Sequence, residues 1–217
     1  MKMKMLFVLP LFLFIAAFVS CNDDYDHATY YAGMGTVLKQ GKDYAIDFDN
    51  SRTMTLADSS LLVATKSQTP GQRVIVSFTY DEGRLPNTIF PIDVVRVLTK
   101  PFFPIPTLEQ SDSIGNDPIK LVEAWVGGAH LNVKYAYYTS AYGGRAHFIN
   151  AIDLNRKDDK GYVSLEFRHN DNNDYRNRVA YGYVSFPLSE EYLRGNGFNI
   201  KYKDFNGREI TLPVKLK

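Results

Sequence analysis

From Tyr30 onward, apolar residues recur at every second position in short runs separated by turn residues, a period that commits the chain to half-buried strands. Tyr44, Ile46 and Phe48 alternate with Ala45 and Asp47; Val74, Val76, Phe78 and Tyr80 alternate with Arg73, Ser77 and Thr79, with Ile75 interrupting the polar face. Phe90 to Leu98 is apolar more continuously and reads as a strand covered on both sides. Short strands near Thr36, Tyr44, Met54, Val76 and Val95, joined by Gly or Asp turns, suffice for a five-stranded barrel. Aromatic residues, many of them tyrosine, make up 14% of the chain, which suits strands better than helices.

A proline-rich stretch, Pro101-Phe102-Phe103-Pro104-Ile105-Pro106, interrupts this pattern. Proline lacks the N–H that a ladder needs, so no central strand runs here, and a domain boundary is expected within Pro101 to Ser111. The barrel is assigned residues 29–104 and a second domain residues 105–217. In the latter, seven strands are expected: Leu121 to Val126, His130 to Tyr138, Arg145 to Asp153, Tyr162 to Arg168, Val179 to Pro187, Asn199 to Lys203 and Arg208 to Lys215. Gly127-Gly128, Gly143-Gly144, Asp159-Lys160-Gly161 and Asn206-Gly207 supply turns between them. That number and spacing point to an all-β sandwich. One helix is expected, Ser189 to Leu193, with Glu190 and Glu191 in its first turn.

The amino terminus reads as an export signal over residues 1–20, with Lys2 and Lys4 ahead of the apolar run Leu6 to Val19. The run is short for a transmembrane helix, which needs about 20 apolar residues, so cleavage is expected. It ends Ala16-Ala17-Phe18-Val19-Ser20-Cys21 and resembles a lipobox, with Phe18 where leucine is commonest; lipid on Cys21 would anchor the chain to a membrane. An ordinary signal peptide or a buried free thiol are the alternatives. Residues 21–28, with Asn22, Asp23, Asp24 and Asp26, are expected to be a flexible stalk. The acidic cluster resembles the surface-export signal of Bacteroidetes lipoproteins and reads equally as a solvated spacer. An outer-membrane lipoprotein, facing the periplasm or the cell surface, is the expected location.

Of 25 basic residues, Lys2 and Lys4 leave with the signal, and against 24 acids the mature chain is close to neutral. That balance argues against nucleic acid and against a polybasic membrane patch. Four histidines occur: His27, His130, His147 and His169. No two have the spacing that sets imidazoles on one metal, so no metal or cofactor is expected, and His147 is read as hydrogen-bonded within its sheet. Arg168 to Tyr175 is rich in Asp and Asn oxygens that suit Ca²⁺, but the ligand spacing is absent and a long turn explains the same residues. The chain has no Gly-x-Ser-x-Gly, phosphate loop or His-Glu-x-x-His. Glu123 and Glu166 would act as a glycosidase pair only if they converged on one cleft; otherwise they are solvent-facing strand residues.

The later half carries a family resemblance. Asp112-Ser113-Ile114-Gly115-Asn116-Asp117-Pro118, Trp125-Val126-Gly127-Gly128, Leu131-Asn132-Val133, His147-Phe148-Ile149-Asn150, Leu165-Glu166-Phe167-Arg168-His169-Asn170 and Val184-Ser185-Phe186 look like the NigD-like lipoproteins of Bacteroidetes. Gly71-Gln72-Arg73-Val74 and Val97-Leu98-Thr99-Lys100 agree more weakly. The resemblance implies a small OB-like barrel followed by a β-sandwich; it supplies no catalytic residue, and its name points to a bacteriocin-associated operon. Asp112-Ser113-Ile114 also resembles the O-glycosylation sequon of exported Bacteroidetes proteins, with Ser113 as acceptor.

These features lead to a non-catalytic envelope lipoprotein that binds a protein or glycan, with Tyr137, Tyr138, Tyr142, Tyr181 and Tyr183 as a contact surface or, alternatively, as core filling. A bacteriocin-associated immunity role and a glycan hydrolase are the competing readings.

Overall fold

The computed structural model describes residues 29–50, 52–81 and 83–216; the expected signal, Cys21 and the stalk lie outside the described residues. The chain forms a barrel and then a sandwich. Strands β1 (Tyr30–Gln40), β2 (Asp43–Phe48), β3 (Thr53–Leu56), β4 (Arg73–Tyr80) and β5 (Thr88–Arg96) close in the order β1-β2-β3-β5-β4. All five fall where the alternation places them. Inside the barrel sit Val37, Ile46, Phe48, Met54, Leu56, Val74, Val76, Phe78, Ile89 and Val94. Helix α1 (Ser60–Ala64), between β3 and β4, adds the fully buried Leu62 to that core, a side chain worth about 1.5–3 kcal/mol when removed from water. The barrel is tight at Gly35, where a Cβ would stand 2.5 Å from Ile46 and 2.7 Å from the carbonyl oxygen of Asp47.

β5 departs from expectation. Phe90, Ile92, Val95 and Leu98 are exposed by 41–49%, so the segment is covered on one side only. A β-bulge opposite Ser77 and Phe78 inserts one residue and shifts the phase: Ile89 faces inward before it and Val94 after it. Two apolar sets of opposite parity then merge into one continuous run in the sequence.

The chain leaves the barrel earlier than Pro104. β6 (Leu98–Thr99) already pairs in parallel with β11 (Arg178–Pro187), placing residues 98–104 with the sandwich. Phe102 stacks on Phe186 at 5.4 Å, and Phe103 makes a single bridge to the edge strand β9 (Phe148–Lys157), as the flanking prolines require. Helix α2 (Leu108–Ile114) follows, then β7 (Lys120–Gly127), β8 (His130–Thr139), β10 (Val163–Asn170), α3 (Glu190–Leu193), β12 (Gly197–Lys203) and β13 (Glu209–Lys215). Two four-stranded sheets, β13-β12-β10-β9 and β6-β11-β8-β7, enclose Leu131, Val133, Leu165, Phe167, Val184, Phe186, Phe198 and Ile200. All seven expected sandwich strands are present. The sequence anticipated only α3; α2 carries a capping box between Thr107 and Gln110, a signal the strand pattern overshadowed. Gly182 on β11 leaves room for Tyr135, whose ring a Cβ would meet at 2.5 Å.

Candidate functional site

Two buried polar clusters and one outer surface are the candidates among the described residues. The first cluster joins the modules. Arg73 opens β4 on the outer wall of the barrel, opposite Thr36, and its side chain is wholly buried. Its guanidinium donates to Asp49 Oδ2 at 2.7 Å, to Thr36 Oγ1 at 3.1 Å and to Asn132 Oδ1, across in the sandwich, at 3.0 Å. Asp49 also accepts from the indole N–H of Trp125 at 3.0 Å and from Asn132 Nδ2 at 3.2 Å. Ser185 donates to Asn132 Oδ1 at 2.6 Å, and Met34 lies against it. The turn Gly127-Gly128 is needed here: Cβ atoms would strike Asp49 and the Arg73 guanidinium within 2.7–2.9 Å. The ion pair lies within the barrel and the sandwich caps it with hydrogen bonds from Asn132 and Trp125; losing either charged partner leaves an uncompensated buried charge, which costs about 3–5 kcal/mol.

The second cluster lies at one end of the sandwich. His147 Nδ1 meets His169 Nε2 at 2.8 Å, His147 Nε2 meets Asp174 at 3.1 Å, and His169 Nδ1 meets the Pro118 carbonyl at 3.2 Å. Aspartate and carbonyl, at the two ends, both accept. Burial holds the His169 pKa below the ordinary histidine value. Hydrogen bonds from Thr139 and then His147 hold the Asp174 carboxyl well below the usual carboxylate range. The sequence placed His147 within its sheet and missed this pairing, because residues 22 apart share no local spacing. His169 is 1% exposed and the His147 and Asp174 side chains 8% and 4%, so the cluster secures the loop between β10 and β11 rather than reaching solvent. In that loop Asn172 and Asn173 adopt left-handed backbone, the geometry of the expected turn.

The five candidate tyrosines do not gather into one surface. Tyr137 packs against the sandwich core with its ring 4.7 Å from His147, and Tyr138 is half-buried against Phe205. Tyr142, in the turn after β8, is fully open to solvent. Tyr181 and Tyr183 do share a face: they pair with Ala136 and Lys134 on the outer side of the sheet, and the Lys134 ammonium lies 5.9 Å and 5.7 Å from their rings. One row further stands Trp125, paired with Asn132, beside a shallow cleft of about 480 Å³ lined by Asp49, Asn50, Val126 and Lys215. Glu123 pairs with Lys134 on this outer face. Glu166 is on β10 of the other sheet, facing away from the core between Leu165 and Phe167, 3.6 Å from Arg168 and 3.7 Å from Lys201. The two carboxylates point to opposite sides of the sandwich, which removes them as a glycosidase pair.

Solved structures share the fold. Crystal structures described as a toxin-related protein from Parabacteroides distasonis ATCC 8503 (23% identical, TM-score 0.69), a NigD-like immunity protein from Bacteroides caccae ATCC 43185 (21%, 0.64) and a lipoprotein from Bacteroides fragilis NCTC 9343 (10%, 0.66) each align over 87% of this chain. The alignments cover 95%, 94% and 98% of those chains, so the likeness includes the barrel as well as the sandwich. No curated protein matches. The model of the NigD-like C-terminal β-sandwich domain matches residues 102–216, more than half of the sequence, and the chain belongs to that NigD-like family.

Proposed function

We propose that this chain is an envelope lipoprotein, anchored through Cys21, that works by binding an envelope protein or glycan. The observation that carries the reading is the outer face of sheet β6-β11-β8-β7, where half-buried Trp125 and Tyr183 and exposed Tyr181 stand in successive rows around Lys134. Flat aromatic surfaces with a cation between them suit the apolar faces of sugar rings and the side chains of a protein partner. The titratable groups of the two buried clusters, by contrast, are engaged with one another. The strand order of the barrel, with a helix between its third and fourth strands, supports the OB-like reading. Glycan-array and envelope pull-down experiments with the native chain and with Tyr181→Ala/Tyr183→Ala test the proposal. A partner lost in the double variant supports it, and a broad screen without a partner counts against it.

An immunity role is the second reading, favoured by the description of one structural relative as an immunity protein and another as toxin-related. A deletion strain that becomes sensitive to a bacteriocin encoded beside the gene would establish it; unchanged sensitivity would remove it. Ser113, exposed on α2, remains a proposed O-glycan acceptor, and an unmodified intact mass of the native protein would end that idea.

A further inference from the structure

One end of the barrel carries apolar side chains that no described residue covers. Tyr30, Thr79 and Phe90 form a single row across β1, β4 and β5. Partners in a row share a face, and here it is the outer one, since Phe78 and Ile89 beside them point into the core. The bulge adds Ile92, the turn between β4 and β5 adds Leu85, and Tyr31 stacks on Phe78 at the barrel mouth; all five large side chains are between 41% and 73% exposed. Arg84 and Asp81 line a cleft beside Phe90 and Leu85. Asp93 lies in the next outer row, with Ala32 and Ser77, and limits the apolar patch to the end of the barrel.

The place where the chain enters selects the occupant. Tyr30 begins β1 in this same row, and Cys21 stands nine residues upstream, a span of about 32 Å at most even when fully extended. We propose that this end of the barrel docks on the bilayer that holds the Cys21 lipid, with Tyr30, Tyr31, Leu85, Phe90 and Ile92 at the headgroup level. The proposal rests on lipidation of Cys21. Tyrosine places its ring at the acyl boundary and its hydroxyl in water, phenylalanine and the aliphatic side chains enter the boundary, and Arg84 supplies a guanidinium for lipid phosphate. A second copy of the chain fits less well. The five side chains expose roughly 500 Å² together, taking about 200 Å² for a large side chain, against the about 800 Å² per partner of a stable interface. A tethered protein needs no such area, because the anchor already holds the surfaces together.

The test couples the mature chain through Cys21 to a maleimide phospholipid in phosphatidylethanolamine and phosphatidylglycerol vesicles with brominated acyl chains. A tryptophan is added by Phe90→Trp or, as the distant control, Tyr181→Trp, with Trp125 giving the same background in both. Bromolipid is expected to lower the added emission about twofold for Phe90→Trp and to leave that of Tyr181→Trp unchanged, since docked side chains reach 5–10 Å into the boundary. No quenching for Phe90→Trp, or equal quenching for both, overturns the proposal, as does a dimer whose formation Phe90→Asp abolishes in the absence of lipid. Intact mass of the protein extracted from its native membrane reports acylation separately. An unacylated Cys21 overturns the anchored arrangement, while the vesicle measurement still decides whether the face prefers lipid.

Discussion

The barrel and the sandwich both close around apolar cores, but they bury polar groups on different terms. Within the barrel the core cluster is wholly apolar, and the one buried cation among its described residues, Arg73, sits on the outer wall where Asn132 and Ser185 of the sandwich cover it. The sandwich buries His169, Asp171 and Asp174 within its own end, using only its own residues as partners. The barrel's charge is therefore covered because the second module is docked, whereas the sandwich's charges are covered by its own fold. A buried ion pair of one module capped by hydrogen bonds from the other ties the two together; one enclosed by its own module fixes a loop.

The sharpest break in this comparison is Asp49→Ala. It strands the Arg73 guanidinium between the modules, and urea unfolding is expected to show a loss of about 3–5 kcal/mol. Replacing both charges, Asp49→Leu with Arg73→Met, is expected to cost less than Asp49→Ala alone; an equal or larger loss would show that the pair does not depend on charge compensation. Next comes Gly182→Ala, which drives a methyl group into Tyr135 and should cost about 1–3 kcal/mol, with partial rescue by Tyr135→Leu.

The pH response separates the clusters more finely. The folded His169 pKa is lowered, so the unfolded chain takes up a proton that the native state resists as pH falls below about 6.5. That contribution to stability is complete above pH 6.5 and is lost on acidification; the lowered Asp174 pKa extends the loss below the ordinary carboxylate range. Urea midpoints should fall from pH 7 to pH 5.5, and the fall should shrink in His169→Phe. An undiminished fall would place the sensitivity outside the histidine pair. Smallest of all is the expected stability effect of Tyr181→Ala, within about 0.5 kcal/mol, since the ring is exposed on the outer face. A larger loss would mean that this surface is structural rather than free for a partner.

Period-two alternation is a local property, and it located all twelve long strands and the turns between the sandwich strands, because each side chain's face follows from its parity. Proline chemistry marked the change of module, although the crossover occurs a few residues earlier, at β6, where two residues are too few to leave a pattern. The β5 bulge hid an uncovered face by shifting parity within one strand. The Thr107–Gln110 capping box was legible and was outweighed by the strand pattern.

Which residues meet was another matter. Arg73 and Asn132 are 59 positions apart and His147 and His169 22, and neither separation carries a local signature. Those encounters follow from how two sheets pack and how the barrel leans on one of them. By itself the sequence determined the strands, the turns and the family; only the tertiary structure decided which polar groups are buried together and which aromatic rings stay open, because long-range contacts are set by packing rather than by periodicity.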